Sequence, residues 1–169
     1  PDELGSGLVV FHPKGGVIKR EMEDYVRRRH IEEGFDYVGT PHISKDGLFY
    51  TSGHLPYFAE GMFPAIHLEG AEYRLKAMNC PGHYLLYASE VRSYRDLPIR
   101  FHEQTPLHRN EASGVLSGLT RVRQFSQDDG HCFLMESQIG EADERLLRLV
   151  QRVYGDFGLD YSAKLSTRP

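Results

Sequence analysis

Between Arg109 and His131 the chain reads RNEASGVLSGLTRVRQFSQDDGH. The second half of this stretch is strand-like in composition yet lacks an apolar face. Residues of one parity in an extended strand share a face. Arg121, Arg123, Phe125, Gln127, Asp129 and His131 are all odd-numbered. A regular strand here lines two guanidiniums, a flat ring, an amide, a carboxylate and an imidazole along one side. The other side, Val122, Gln124, Ser126 and Asp128, is hardly more apolar. A half-buried antiparallel strand normally shows one apolar face, so this one is either a solvated edge or the wall of a site. Upstream, a small-residue loop containing Ala112, Ser113, Gly114 and Gly118 leads back to Arg109 and Glu111, which also share a parity. A bidentate Arg suits phosphate oxygens. A carboxylate can accept from an exocyclic amine, and a Phe can stack on a purine. Together these parts make a nucleotide site without a Gly-rich loop.

Working outward, the strands predicted on either side of that loop run from about Ile99 to Glu111 and from Leu119 to Met135. Residues 62–78 read as a hairpin turning at Glu69–Gly70, with Ile66, Leu68, Tyr73 and Leu75 alternating. Pro81 suits the first turn of a short helix reaching about Val91. Near the start, GLVVFH (Gly7–His12) reads as a strand before a turn at Pro13–Gly16. Ile18, Met22, Tyr25 and Val26 then mark a helix from Val17 to Glu33, and Phe35–Ile43 reads as a strand interrupted by Pro41. The last helix starts at Ser137 as N-cap and carries Ile139, Ala142, Leu146, Leu149, Val150 and Val153 on one stripe. Sequential hairpins with separate helices predict an α+β fold, a mainly antiparallel sheet flanked by helices. With no linker or repeat, residues 1–169 read as one domain.

Composition narrows the function classes. The net charge of −4 argues against a broad nucleic-acid grip through this domain alone. No run of about 18 apolar residues exists, so no membrane span is expected. Two cysteines, Cys80 and Cys132, cannot build a disulfide framework, and a reducing cytoplasm is the expected setting. A second chemical cluster is Met78-Asn79-Cys80-Pro81-Gly82-His83. Cys80 and His131 are donors that zinc favours; a buried structural Cys is the competing reading. Cys80-x-x-His83 is another possible pair, although His83 is expected to face outward. Cys132, on the opposite parity from His131, is expected in the core.

The segment Phe101–Phe125 resembles motif 2 of the class II aminoacyl-tRNA synthetases: Arg109-Asn110-Glu111, a loop, then Arg121 four residues before Phe125. AMNCPGH (77–83), SYRDLPIR (93–100), LHRNE (107–111), GLTRVRQFSQDDGH (118–131) and KLSTRP (164–169) are similar to the threonyl-tRNA synthetase family, from about Gly7 to the end. The resemblance implies a ligase that activates threonine with ATP to threonyl-adenylate and passes it to tRNA(Thr). It implies that Cys80 and His131 are two of three protein ligands to Zn²⁺, the third being a His beyond these residues. Arg109 is implied as the catalytic arginine on the ATP α-phosphate and the threonine carboxylate. Glu111 is implied as the adenine reader, Phe125 as its stacker, and Arg121 as the contact to the terminal phosphates. Met78, Gln127 and Asp129 are implied around threonine, and Mg²⁺ accompanies ATP.

Helix Val17–Glu33 with Pro41 corresponds to motif 1, which implies a homodimer. Motif 3, the editing domain and the anticodon-binding domain are not within residues 1–169, so the chain alone is expected to be inactive. Ser117 stands where the family often has His. Two rivals are a non-catalytic synthetase-like binding module and a related prolyl or seryl enzyme.

Overall fold

The computed structural model describes residues 3–167. The last two residues of the KLSTRP motif, Arg168 and Pro169, lie outside them. Helix α1 (Pro13–Glu32) begins four residues before the predicted start. Pro13 occupies the first turn, where its fixed φ fits and its missing N–H is not needed. The turn predicted at Pro13–Gly16 is therefore helix, and Gly7–His12 is not a strand. Gly34, at φ +80°, ends the helix and releases the chain into β1 (Asp36–Tyr37) and β2 (Ile43–Lys45).

Two short helices that periodicity did not mark follow, α2 (Asp46–Thr51) and α3 (His54–Tyr57). The hairpin is present as β3 (Ile66–Leu68) and β4 (Ala71–Leu75). Its two turn residues, Glu69 and Gly70, both have positive φ (50° and 77°), the backbone that a tight two-residue hairpin needs. Helix α4 (Cys80–Ala88) comes next. It is followed by β5 (Ile99–Glu103), β6 (Pro106–His108), β7 (Gln124–Ser126), β8 (Asp129–Phe133) and α5 (Ile139–Asp156).

Among the described residues three small sheets form, ordered β1-β5-β8, β2-β4-β3 and β6-β7. Every pairing is antiparallel except β1 with β5, so the expected α+β architecture holds. The predicted long strands do not. Each of them divides, β5 from β6 and β7 from β8, and the halves join different sheets. Parity from Arg121 to His131 therefore breaks at Gln127–Asp128. Within β8 it survives: Asp129, His131 and Phe133 stand opposite Glu103, Phe101 and Ile99.

The buried core centres on Phe49, Leu55, Met62 and Ala77. Helix α4 is held on the antiparallel β5–β8 pair by aromatic packing. Tyr87 stacks on Phe133 at 4.1 Å, and Phe101 and Tyr84 meet the same ring edge-on at 5.6 and 5.4 Å. Offset and edge contacts of this kind are favoured by ring quadrupoles. Helix α5 buries Ala142 and Leu149 of the predicted stripe. Its first residue is Ile139 and its N-cap is Gln138 rather than Ser137, which lies in a preceding 3-10 turn. No helix of the described residues is long and apolar enough to cross a membrane.

One close approach sets the position of α4. A Cβ on Gly82 would lie 2.7 and 2.9 Å from Cγ2 and Cβ of Thr40, and Thr40 is itself tied down by hydrogen bonds to Glu103. Gly82→Ala should therefore destabilise the fold by about 1–3 kcal/mol, the usual cost of overpacking. A urea unfolding midpoint unchanged from wild type would count against this account.

Candidate functional site

The motif 2 residues form two contacts. The Arg109 guanidinium lies 5.1 Å from the centre of the Phe125 ring, within cation–π range, and its Nε donates to the Ala77 carbonyl at 3.3 Å. The β6–β7 pairing supports this, since Leu107 stands opposite Phe125 and the Arg109 N–H donates to the Arg123 carbonyl. Beyond β6, Glu111 accepts from Arg121 Nε and Nη2 at 3.1 and 3.0 Å. The Arg121 side chain is about half exposed, which leaves this pair free to open. The other arginine of the predicted face, Arg123, is structural. It donates to the backbone carbonyls of Glu111 and Ser6.

Asp129 and His131 share one face of β8, and the N-terminal turn of α4 packs against it. Asn79, fully buried, donates from Nδ2 to Asp129 Oδ2 at 2.9 Å. Asn79 Oδ1 has no protein partner among the described residues. The Asp129 backbone carbonyl meets His102 Nδ1 at 2.9 Å. Cys80 begins α4 and is half-buried. Burial raises its thiol pKa, and the nearby Asp129 carboxylate raises it further. Burial also lowers the pKa of His131, against the opposing pull of Asp129. A neutral imidazole is the form that ligates metals.

Sequence spacing missed the residues behind His131. His83 is fully buried rather than outward-facing. Its Nδ1 lies 2.8 Å from His131 Nδ1 and its Nε2 lies 3.0 Å from Glu103 Oε2. Glu103, also fully buried, pairs with Lys76 at 2.9 Å. It accepts further bonds from Thr105 Oγ1 and from the N–H and hydroxyl of Thr40. Burial alone would raise the Glu103 pKa. The bonds from His83, Lys76, Thr105 and Thr40 outweigh it and hold the carboxyl well below the usual range. One signal was available in the sequence: Glu103 falls on the same strand parity as Phe101, where a charge is out of place.

The donor set of Cys80 and His131 fits a zinc ion. Both are half-buried, one offers sulfur and the other a neutral ring nitrogen, and Cys80 shares a helix face with His83, which touches His131. His83 is excluded as a ligand, because both of its ring nitrogens are occupied. Cys132, expected in the core, is only half-buried and faces away from His131. Of the predicted site residues, Met78 alone lines a cavity of about 340 Å³ beside α4, together with Thr40, Pro41, Lys76, Gly82 and Leu86. Met78 Sδ also lies 3.2 Å from His54 Nε2. Gln127 is half-buried in the β7–β8 connection.

A different cluster lies behind β8. His30 and His102 stack at 3.9 Å with nearly parallel rings, and Asp128 Oδ1 lies 3.2 and 3.6 Å from them. Parallel rings cannot both point a lone pair at one ion, so the stack suits packing better than coordination. Burial and the neighbouring His30 lower the pKa of His102 to about 4.

Residues 63–169 match the family described as tRNA synthetase class II core domain (G, H, P, S and T). Curated relatives include threonine–tRNA ligases from a Nocardioides species, 60% identical, and from Thermobifida fusca, 57% identical. Each is matched over 99% of this chain. The chain spans about a quarter of the length of these relatives (25% and 26%). Among solved structures it resembles the RNA binding domain of threonyl-tRNA synthetase from Cryptosporidium parvum, with TM-score 0.88 and 40% identity. That match covers 94% of this chain and 40% of that one. A prolyl-tRNA synthetase from Giardia lamblia shares the fold, with TM-score 0.80 at 20% identity over 89% of this chain and 32% of that one.

Proposed function

The chain belongs to the class II tRNA synthetase core family, and from that premise we propose that it is the motif 1 and motif 2 part of a threonine–tRNA ligase. The whole protein activates threonine with ATP to threonyl-adenylate and transfers it to tRNA(Thr). The observation that carries this reading is the Asp129 carboxylate. It is oriented by buried Asn79 and lies on one strand face with His131, beside Cys80.

In this reading Arg109 grips the threonine carboxylate and the α-phosphate. The carboxylate oxygen attacks phosphorus, the bond from the α-phosphorus to its bridging oxygen breaks, and pyrophosphate leaves. Arg109 neutralises charge that gathers on the phosphoryl oxygens, and Mg²⁺ arriving with ATP would supply further positive charge there. Phe125 stacks on adenine, Glu111 accepts from its amine once it releases Arg121, and Arg121 turns to the terminal phosphates. Asp129 accepts from the threonine hydroxyl, with Gln127 and Met78 bounding the amino acid. Cys80 and His131 would hold zinc, which when bound supplies open positions for the substrate amine and hydroxyl. A purely apolar pocket would discriminate poorly between threonine and its isostere valine. Valine lacks the hydroxyl and leaves Asp129 without a partner, whereas serine keeps it and must be rejected elsewhere.

A homodimer through the motif 1 region is part of the proposal. Val17, Ile18 and Met22 on α1 are 52%, 62% and 47% exposed, an apolar surface of the kind that marks interfaces. A cytoplasmic setting accords with two free cysteines and a translation role. Motif 3 and the third zinc ligand belong to parts of the protein outside these residues.

The test is amino-acid-dependent ATP–pyrophosphate exchange by the full-length protein. Threonine should support exchange, serine should do so weakly, and valine and proline should not. Exchange with proline or serine as the preferred substrate would point to a sibling family. No exchange with any amino acid would favour a binding module.

A further inference from the structure

We propose that His83, Glu103 and Lys76 form a buried relay that fixes which nitrogen of His131 faces the metal. The inference rests on the zinc reading above and goes beyond it, because none of the three touches the ion.

Donors and acceptors in this network pair in one direction. Lys76 Nζ donates to Glu103 Oε1 at 2.9 Å, to Thr105 Oγ1 at 2.7 Å and to Thr40 Oγ1 at 3.0 Å. Both hydroxyls then pass their own hydrogen to Glu103, Thr105 at 2.6 Å and Thr40 at 2.9 Å. Glu103 is left with acceptor sites only, so the bond at 3.0 Å to His83 Nε2 must be donated by His83. With its Nε2 hydrogen committed to Glu103, whose charge Lys76 already balances, His83 presents a lone pair at Nδ1. The 2.8 Å contact between His83 Nδ1 and His131 Nδ1 then requires the hydrogen to sit on His131 Nδ1. His131 Nε2 is left unprotonated, which is what a ligand needs. The two rings are nearly perpendicular, at 89°, so His83 fixes the orientation of His131 as well as its tautomer.

A ligating His commonly donates its second nitrogen to a carboxylate or carbonyl oxygen, which cannot donate in return. Here the acceptor is another imidazole, and an imidazole is an unambiguous acceptor only when its far nitrogen is committed to donating. Glu103 supplies that commitment. Lys76 supplies the charge that allows a carboxylate to remain ionised at 0% exposure. Both rotation of His131 and the wrong tautomer are excluded by groups one and two side chains removed.

The test uses full-length protein, with zinc affinity read by chelator competition and ligand geometry read from the absorbance of the Co²⁺-substituted form. His83→Leu should weaken zinc binding about 10- to 100-fold, while the thiolate-to-cobalt band from Cys80 persists at saturating Co²⁺. His83→Gln, whose amide can accept on one side and donate on the other, should recover most of the loss. Zinc affinity of folded His83→Leu equal to wild type overturns the relay. If His83→Leu does not fold, solid-state nitrogen NMR of ¹⁵N-histidine-labelled wild type, with His131→Asn for assignment, decides the matter. Nδ1 of His131 should carry hydrogen, and hydrogen on Nε2 overturns the proposal. Wild type that binds no zinc removes the metal reading itself, a result distinct from either of the others.

Discussion

Arg109→Ala should abolish threonine-dependent pyrophosphate exchange, a fall of at least about 10³-fold, as expected when a preorganised group aimed at developing charge is removed. Arg109 is fixed from two sides, by the Ala77 carbonyl on Nε and by the Phe125 face below its guanidinium. These anchors leave the terminal nitrogens as a fork of known direction. A flexible cation would have to be ordered during the reaction; this one is ordered beforehand. Arg109→Lys separates charge from geometry. It keeps a cation near Phe125 but loses the planar fork, so exchange should stay far below wild type while the unfolding midpoint moves little. Near-normal exchange in either variant would take motif 2 out of the mechanism.

Cys80→Ala should remove stoichiometric zinc from the full-length protein and reduce threonine activation by on the order of 10²-fold or more. The change deletes one half-buried sulfur at the start of α4 and touches no aromatic contact that holds the helix on β5 and β8, so the fold should survive it. As a free thiol Cys80 is reluctant to ionise, because burial and Asp129 both disfavour the thiolate. A bound cation reverses that preference. Metal analysis checks the first part of the prediction and pyrophosphate exchange the second. Full zinc content in Cys80→Ala would move the ligand assignment elsewhere.

The elements read correctly from sequence were those with local causes. Glu69–Gly70 gave the hairpin because two positive-φ residues between alternating apolar positions specify one turn. The apolar stripe gave α5, and Asp129 and His131 were placed together because β8 is regular across them. The errors share a different cause. Treating Leu119–Met135 as one strand assumed a continuous ladder, whereas the chain changes sheets between Ser126 and Asp129. Periodicity within a single segment carries no information about its partner. The His83–Glu103 network was invisible for the same reason. Its bonds join residues 63, 27 and 20 apart in the chain, and nothing local in His83 marks it as buried. The family resemblance implied metal ligands and substrate contacts, but it said nothing of what stands behind them.

Arg123 has a mechanical consequence. Its N–H donates to the Gly7 carbonyl, its guanidinium reaches the carbonyls of Ser6 and Glu111, and its own carbonyl accepts from Arg109. Gly7 takes a positive φ of 76°, with the Arg123 nitrogen only 3.1 Å from where a Cβ would sit. One residue thus ties the segment leading into α1 to the chain just after β6 and just ahead of β7. A pull on residues 6 and 7 is delivered two residues from Phe125, so a tether attached ahead of α1 bears directly on the ring beneath the Arg109 fork.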